Sequence, residues 1–352
     1  MAPSISSING TWSHGSSVII SGSGFLTKSP AAPLVWADFE EGVLEESPLS
    51  SGTLLYDNAN LFTVNPRSRS VYCIGGTPLT SASSPVGTTN WGEVSRNVEV
   101  RVAPGGANPQ IFGFCRRYYS ENNMLRGTYG GDLGQYKVNR MGPNTGESAP
   151  DVILLSYINM GNDPNGIPEG ILNYYMPEYY EVQYYGRREP PYQQWFTEEF
   201  IIDCGTYGEY DASAQYWENC NLIVNSSGFL GWSANGPHPN SWFCFQNYYS
   251  NYEGPSASAY AYFDDVYLDN TLSRVMLGNA NTYDDCTIRE PQIPSAWSTS
   301  SITATVNLGG LASSGSAWLY VVDSTGEVSS GEEITINAGE SAPIGTPILS
   351  VR

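Results

Sequence analysis

Positive charge is what this chain has least of. Fifteen Lys and Arg stand against thirty-five Asp and Glu, only Lys28 and Lys137 are lysines, and the formal net charge is -20. A surface of that sign repels nucleic acid and anionic membranes at long range, so neither partner is expected. Charged residues make up only 14% of the sequence, and runs rich in Ala, Leu, Glu and Lys are missing, which argues against a helical bundle. No apolar run approaches the length that spans a bilayer, so membrane insertion is not expected. The start, Met1-Ala2-Pro3-Ser4-Ile5, has no basic segment followed by an apolar core and does not read as a Sec signal peptide. Histidine is limited to His14 and His238, and the six cysteines contain no CxxC spacing, which leaves little for a zinc site. An even cysteine number suits disulfides, but settings such as Trp242-Phe243-Cys244-Phe245 read as buried thiols.

What the chain does have is 25 Tyr, 37 Gly and 23 Pro, the composition of an all-β protein with many turns. Strands are expected over 98–102, 111–119, 151–157, 179–185, 195–203, 214–219 and 241–249, where apolar and aromatic residues alternate or cluster between turn signals. The sequence is organised around Ala259-Tyr260-Ala261-Tyr262-Phe263-Asp264-Asp265-Val266-Tyr267-Leu268-Asp269, an alternating strand with two adjacent acids in its middle. Its counterpart far upstream is Trp36-Ala37-Asp38-Phe39-Glu40-Glu41-Gly42.

That pair resembles the opening and closing strands of jelly-roll domains of the concanavalin-like and carbohydrate-binding-module kind. The opening segment Pro3-Ser4-Ile5 to Ile8-Asn9-Gly10, then Val18-Ile19-Ile20-Ser21-Gly22-Ser23-Gly24-Phe25, resembles the start of an IPT/TIG immunoglobulin-like domain. The rest of that pattern resembles Ser273–Gly278, Trp297-Ser298 through Val306, and Ala317–Ser329. The resemblances imply an immunoglobulin-like β-sandwich split by a large inserted jelly-roll β-sandwich. Residues 1–36 and 271–340 would form the split domain and 37–270 the insert, since neither flank alone has strands enough to close a core. Residues 341–352 would be an extended tail, donated to a neighbour or disordered.

Three kinds of chemistry are weighed. For hydrolysis, Glu198-Glu199-Phe200-Ile201-Ile202-Asp203 places Glu199 and Asp203 on one face of a strand, but Ile201 stands where a middle acid belongs. Lyase chemistry wants a Tyr or His base beside an Arg or Lys, and Tyr and Arg abound near 116–140 without forming a recognisable motif. No catalytic residue is assigned and no enzyme is expected. The jelly-roll resemblance implies a structural calcium held by Glu40 or Glu41 and Asp265, with Asp264 as a further ligand. Paired tyrosines force one ring of each pair outward; Tyr118, Tyr119, Tyr184, Tyr248 and Tyr249 are thus candidates to contact a glycan or a protein partner. The expected function is a non-enzymatic structural or adhesive protein on a virion surface, a bacteriophage capsid-decoration or tail-associated protein. It would be a homo-oligomer packed against other virion or surface subunits, with glycan as a further partner. The alternative is a secreted, extracellular carbohydrate-active protein: a lectin-like module, or a polysaccharide lyase or glycosidase.

Overall fold

The computed structural model describes residues 2–37, 70–72, 78–81, 100–102, 110–119, 135–143, 152–159, 169–175, 180–187, 189–231, 241–250 and 260–337. In chain order these hold β1 (Ser4–Gly10), β2 (Ser17–Ser23), β3 (Val35–Ala37), β4 (Ser70–Tyr72), β5 (Pro78–Ser81), β6 (Val100–Val102) and β7 (Gln110–Tyr119). Next come β8 (Gln135–Pro143), β9 (Val152–Asn159), β10 (Glu169–Tyr175), β11 (Tyr180–Arg187), β12 (Phe196–Asp203), β13 (Ala212–Glu218) and β14 (Asn221–Phe229). The last are β15 (Ser241–Ser250), β16 (Tyr260–Asp269), β17 (Arg274–Gly278), β18 (Arg289–Trp297), β19 (Ser301–Thr305), β20 (Ser316–Val322) and β21 (Glu332–Thr335). The protein is all-β, with its strands arranged in packed sheets, as the composition requires.

A seven-stranded path, β1-β2-β19-β18-β17-β20-β21, joins the two ends of the chain. Ile20 pairs with Ile302 although 281 residues lie between them. The path curls at β18, whose first half pairs with β17 and second half with β19. Val18, Ile20, Ile302 and Ala304 thereby pack against Val275, Leu277, Leu319 and Val321 in one buried core. Each such valine, leucine or isoleucine stabilises the fold by about 1.5–3 kcal/mol through lost contact with water. Between them Ile19 is 44% exposed, the alternation expected of a strand with one solvated side.

Strand β17 departs from that alternation. All five of its residues are buried, because Val275 and Leu277 fill the core just described while Met276 turns to a second cluster with Phe112, Phe114, Tyr267, Cys286 and Tyr320. That cluster joins the seven-stranded unit to an eight-stranded sheet in which β14-β13-β12-β7-β16-β5-β4 follow one path and β3 also pairs with β16. A six-stranded sheet, β11-β10-β9-β8-β15-β6, completes the described structure.

The passage from one unit to the other is held by Lys28. Its ammonium donates to the carbonyls of Pro30 (3.3 Å), Ala31 (2.5 Å) and Ala32 (3.1 Å). It also pairs with the Asp269 carboxylate at 2.8 Å, both side chains being almost fully buried. Asp269 further accepts from Tyr267 Oη (3.2 Å) and the Asn270 amide (2.9 Å). The outgoing chain at β3 and the returning chain at β16 are thus tied by an oxygen cage around one cation, besides their pairing at Val35↔Leu268 and Trp36↔Tyr267.

Candidate functional site

Strand β7 decides which sides of the eight-stranded sheet are in use. Successive residues of a strand lie on opposite sides. Phe112, Phe114 and Arg116 turn toward the seven-stranded unit, where Phe112 and Phe114 join Met276 and Tyr320. Arg116 Nε lies 2.6 Å from Asp265 Oδ2, and its Nη2 bonds Glu290 of β18. Glu290 also accepts from the Gly310 amide at 2.8 Å. Beside this, Glu199 meets Arg289 at 3.0 Å and Arg274 at 3.9 Å and accepts from Tyr283 Oη at 3.3 Å. Burial pushes the Glu290 carboxyl up to about 7 in spite of the Arg116 charge. Burial works against charge on Arg116 too, but Glu290 and Asp265 outweigh it and hold its pKa above the ordinary value. Among the described residues, this side of the sheet is taken up by internal contacts.

The other side of β7 faces the six-stranded sheet. Arg117 bonds Glu198 of β12, which also accepts from Tyr216 Oη of β13 at 3.0 Å and from Cys115 Sγ at 3.4 Å. Arg117 Nη2 reaches across to Asn139 Oδ1 of β8 at 3.4 Å. Arg117, Glu198 and Asn139 are all at or below 1% exposure. Burial raises the Cys115 pKa well above its usual range, so this thiol stays protonated. The acids weighed for hydrolysis are therefore engaged: Glu199 pairs with Arg289, and Asp203 accepts from Gln110 Nε2 at 3.0 Å and from the Gly205 amide at 2.8 Å.

The six-stranded sheet has its near side, the side of Asn139, on this network. Asn139 pairs in register with Phe245 and Leu155, and Met141 with Phe243 and Ile153, rows of apolar residues as an intersheet core demands. The alternate rows lie on the far side. One runs Arg101↔Cys244↔Arg140↔Leu154↔Asn173↔Val182 across all six strands. A second places Trp242 opposite Gly142, and a third places Tyr249 opposite Tyr136 and Tyr136 opposite Asn159. Toward the β11 edge, Tyr175 pairs with Tyr180 and Ile171 with Tyr184. Glu181 stands in the row of Met141 on the near side. Glu169, two residues before Ile171 on a strand that pairs with β9 without a break, shares the side of Ile171 and Asn173 and lies opposite Arg187 at the β11 edge. Among the described strand positions, the far side combines Arg101 and Arg140 with several tyrosines and a tryptophan, and its one acid, Glu169, stands opposite Arg187 at the β11 edge. In a chain of charge -20 that is a marked local reversal. At about 4.8 Å between strands, Arg101 and Arg140 are separated by roughly 10 Å. At about 3.3 Å per residue, Tyr136 and Arg140 are roughly 13 Å apart along β8.

The expected site residues divide accordingly. Tyr249 and Tyr184 fall on the far-side rows, whereas Tyr248 pairs with Lys137 in a near-side row. Tyr118 and Tyr119 lie on β7 opposite Tyr262 and Ala261, and the Tyr118 ring packs on Trp195 with centroids 5.6 Å apart. Glu40 and Glu41 lie outside the described residues. Asp264 stands opposite Arg116 in register, and Asp265, at φ 50° where β16 shifts register, gives its carboxylate to Arg116. Among the described residues no three His, Cys, Asp or Glu side chains form a group able to hold a metal ion. Arg101, Arg140 and Tyr136 were not singled out by sequence. The available signal was the alternation Tyr136-Lys137-Val138-Asn139-Arg140, hidden by its polar composition.

No family model and no curated protein matches the chain. Solved structures do. A PL-14 alginate lyase from Aplysia kurodai is 11% identical over 68% of this chain and 100% of its own, with a TM-score of 0.42. An alginate lyase in complex with alginate tetrasaccharide is 13% identical over 68% of this chain and 98% of its own, TM-score 0.40. An endo-β-1,4-glucuronan lyase from Trichoderma reesei is 9% identical over 61% and 93%, TM-score 0.38. The expectation of a non-enzymatic virion component does not stand against these matches, which are carbohydrate-active enzymes, and the expectation of no enzyme falls with it. At such identities and TM-scores the likeness carries no argument about chemistry, which is drawn from this chain's own residues.

Proposed function

We propose that the protein is a carbohydrate-active enzyme that binds an acidic polysaccharide along the far side of the six-stranded sheet and cleaves it by β-elimination. The observation that carries this reading is the far-side pattern of Arg101 and Arg140 among tyrosines, with no carboxylate in the described rows of Arg140 and Tyr136. Guanidinium groups suit the carboxylates of uronic acid units, and aromatic rings suit sugar faces. Glycoside hydrolysis needs two carboxylates flanking the scissile bond, which these rows lack. Elimination needs none. In the proposed step an arginine neutralises the uronate carboxylate and so acidifies the adjacent C5–H. One tyrosine, as phenolate, takes that proton, and the C–H electron pair becomes the C4=C5 double bond. The C4–O4 bond breaks, and O4 takes a proton from a second tyrosine. Tyr136 and Tyr249, opposite one another across β8 and β15, are the pair proposed for these two transfers.

The test is incubation of the purified chain with polymers of mannuronate, guluronate, glucuronate and galacturonate, and with a neutral glucan as control. The unsaturated product is followed by its ultraviolet absorbance. Arg140→Ala and Tyr136→Phe should each lower the rate on the order of 10²-fold or more. Uronate binding without product would leave the sheet as a lectin-like surface. Preference for the neutral glucan would overturn the reading.

A further inference from the structure

Resting on that reading, we infer that Asn139 is a positioning residue, tied through Arg117 to Glu198, that sets the spacing between the tyrosine row and the arginine row on the opposite side of β8. Three observations converge on it. First, both neighbours of β8 shift register around the same place. Against β9 the shift falls between Lys137 and Asn139, and against β15 between Phe245, opposite Asn139, and Tyr248, opposite Lys137. Bulges there separate the Tyr136–Tyr249 row from the Arg140–Cys244–Arg101 row, and bulges beside a site commonly serve to aim residues. A strand flanked by two irregular ladders is held less firmly by its own sheet.

Second, it is here that a polar bridge crosses the sandwich. Asn139 Oδ1 accepts from Arg117, and Arg117 is fixed by Glu198, which Tyr216 also holds. The bridge thus reaches from β8 through β7 and β12 to β13, strands of regular pairing between Phe196 and Asp203. Third, the bridge is costly for mere cohesion. Its charged pair is buried, and an apolar replacement of similar volume would hold two sheets together at least as well. Asn139 Nδ2 is buried with no hydrogen-bond partner among the described residues, a further cost that an aliphatic residue would avoid. What a directional acceptor supplies and a hydrophobe does not is one register.

The experiment compares wild type, Asn139→Leu and Asn139→Asp. The leucine fills the space without the acceptor, and the aspartate keeps it. Each is assayed for uronate-polymer cleavage and for backbone amide exchange over 135–143. Misplacement of the two rows by about 1 Å should lower kcat on the order of 10²-fold in Asn139→Leu, with KM within about twofold because both rows remain to bind polymer. Asn139→Asp should recover most of the rate, and exchange should quicken over 135–143 in the leucine variant alone. Leucine activity and exchange both equal to wild type would overturn the inference while leaving the proposed function intact. A wild type that cleaves no uronate polymer would overturn the proposed function, and the exchange comparison would still decide whether Asn139 holds β8.

Discussion

Replacing Lys28 by methionine removes one charge and leaves a defined set of orphans. The Asp269 carboxylate loses its 2.8 Å partner in a place almost free of solvent, and three carbonyls, of Pro30, Ala31 and Ala32, lose a donor. Breaking a buried ion pair by deleting one partner costs about 3–5 kcal/mol, since the survivor is stranded in a poorly polarisable setting. Burial already holds Asp269 up to about 6, from an ordinary 3.8, against the pull of Lys28. Without Lys28 its pKa should rise further. A carboxyl raised in the folded state stabilises fully only below its unfolded pKa, and that contribution is lost as pH rises through the folded value. The deficit of Lys28→Met should therefore be smaller at pH 5 than at pH 8. Urea unfolding followed by tryptophan fluorescence at both pH values measures it, and adding Asp269→Asn should recover most of the loss. A single variant within about 1 kcal/mol of wild type at pH 8 would refute the view of Lys28 as the cation that ties the crossover.

Two further perturbations probe the layers around β7. Glu218 and Glu290 are both pushed up to about 7 by burial, Glu290 against the charge of Arg116. By the same sign their contribution is present below about 4.5 and lost through about 7, so the denaturation midpoint should fall between pH 5 and pH 8, and a rise would contradict this. Gly113 lies directly under the Phe200 ring, leaving no room for a Cβ. Gly113→Ala should destabilise by about 1–3 kcal/mol through overpacking, in part relieved by Phe200→Leu, as chemical denaturation would show; a neutral Gly113→Ala would mean the ring gives way freely.

Sequence alone determined the class of this protein. Tyrosine, glycine and proline content with few charges and no helical runs leaves an all-β architecture, because alternation is a local property that one stretch displays by itself. Strands such as β7 and β12 were legible for that reason. β8, β10 and β14 were not read as strands: Gln-Tyr-Lys-Val-Asn-Arg carries a strand's period in polar residues, and the period shows only once a buried side is known. Site chemistry was further out of reach. Glu198 and Glu199 are neighbours in sequence, yet the pleat sends one to Arg117 and the other to Arg289. The arginines of the far-side row, Arg101 and Arg140, come from β6 and β8 and share a row only because β15 lies between them. Which side of a sheet is spent on internal packing and which remains for a ligand depends on how whole layers stack. That is decided by contacts between strands hundreds of residues apart, and only the tertiary structure holds them.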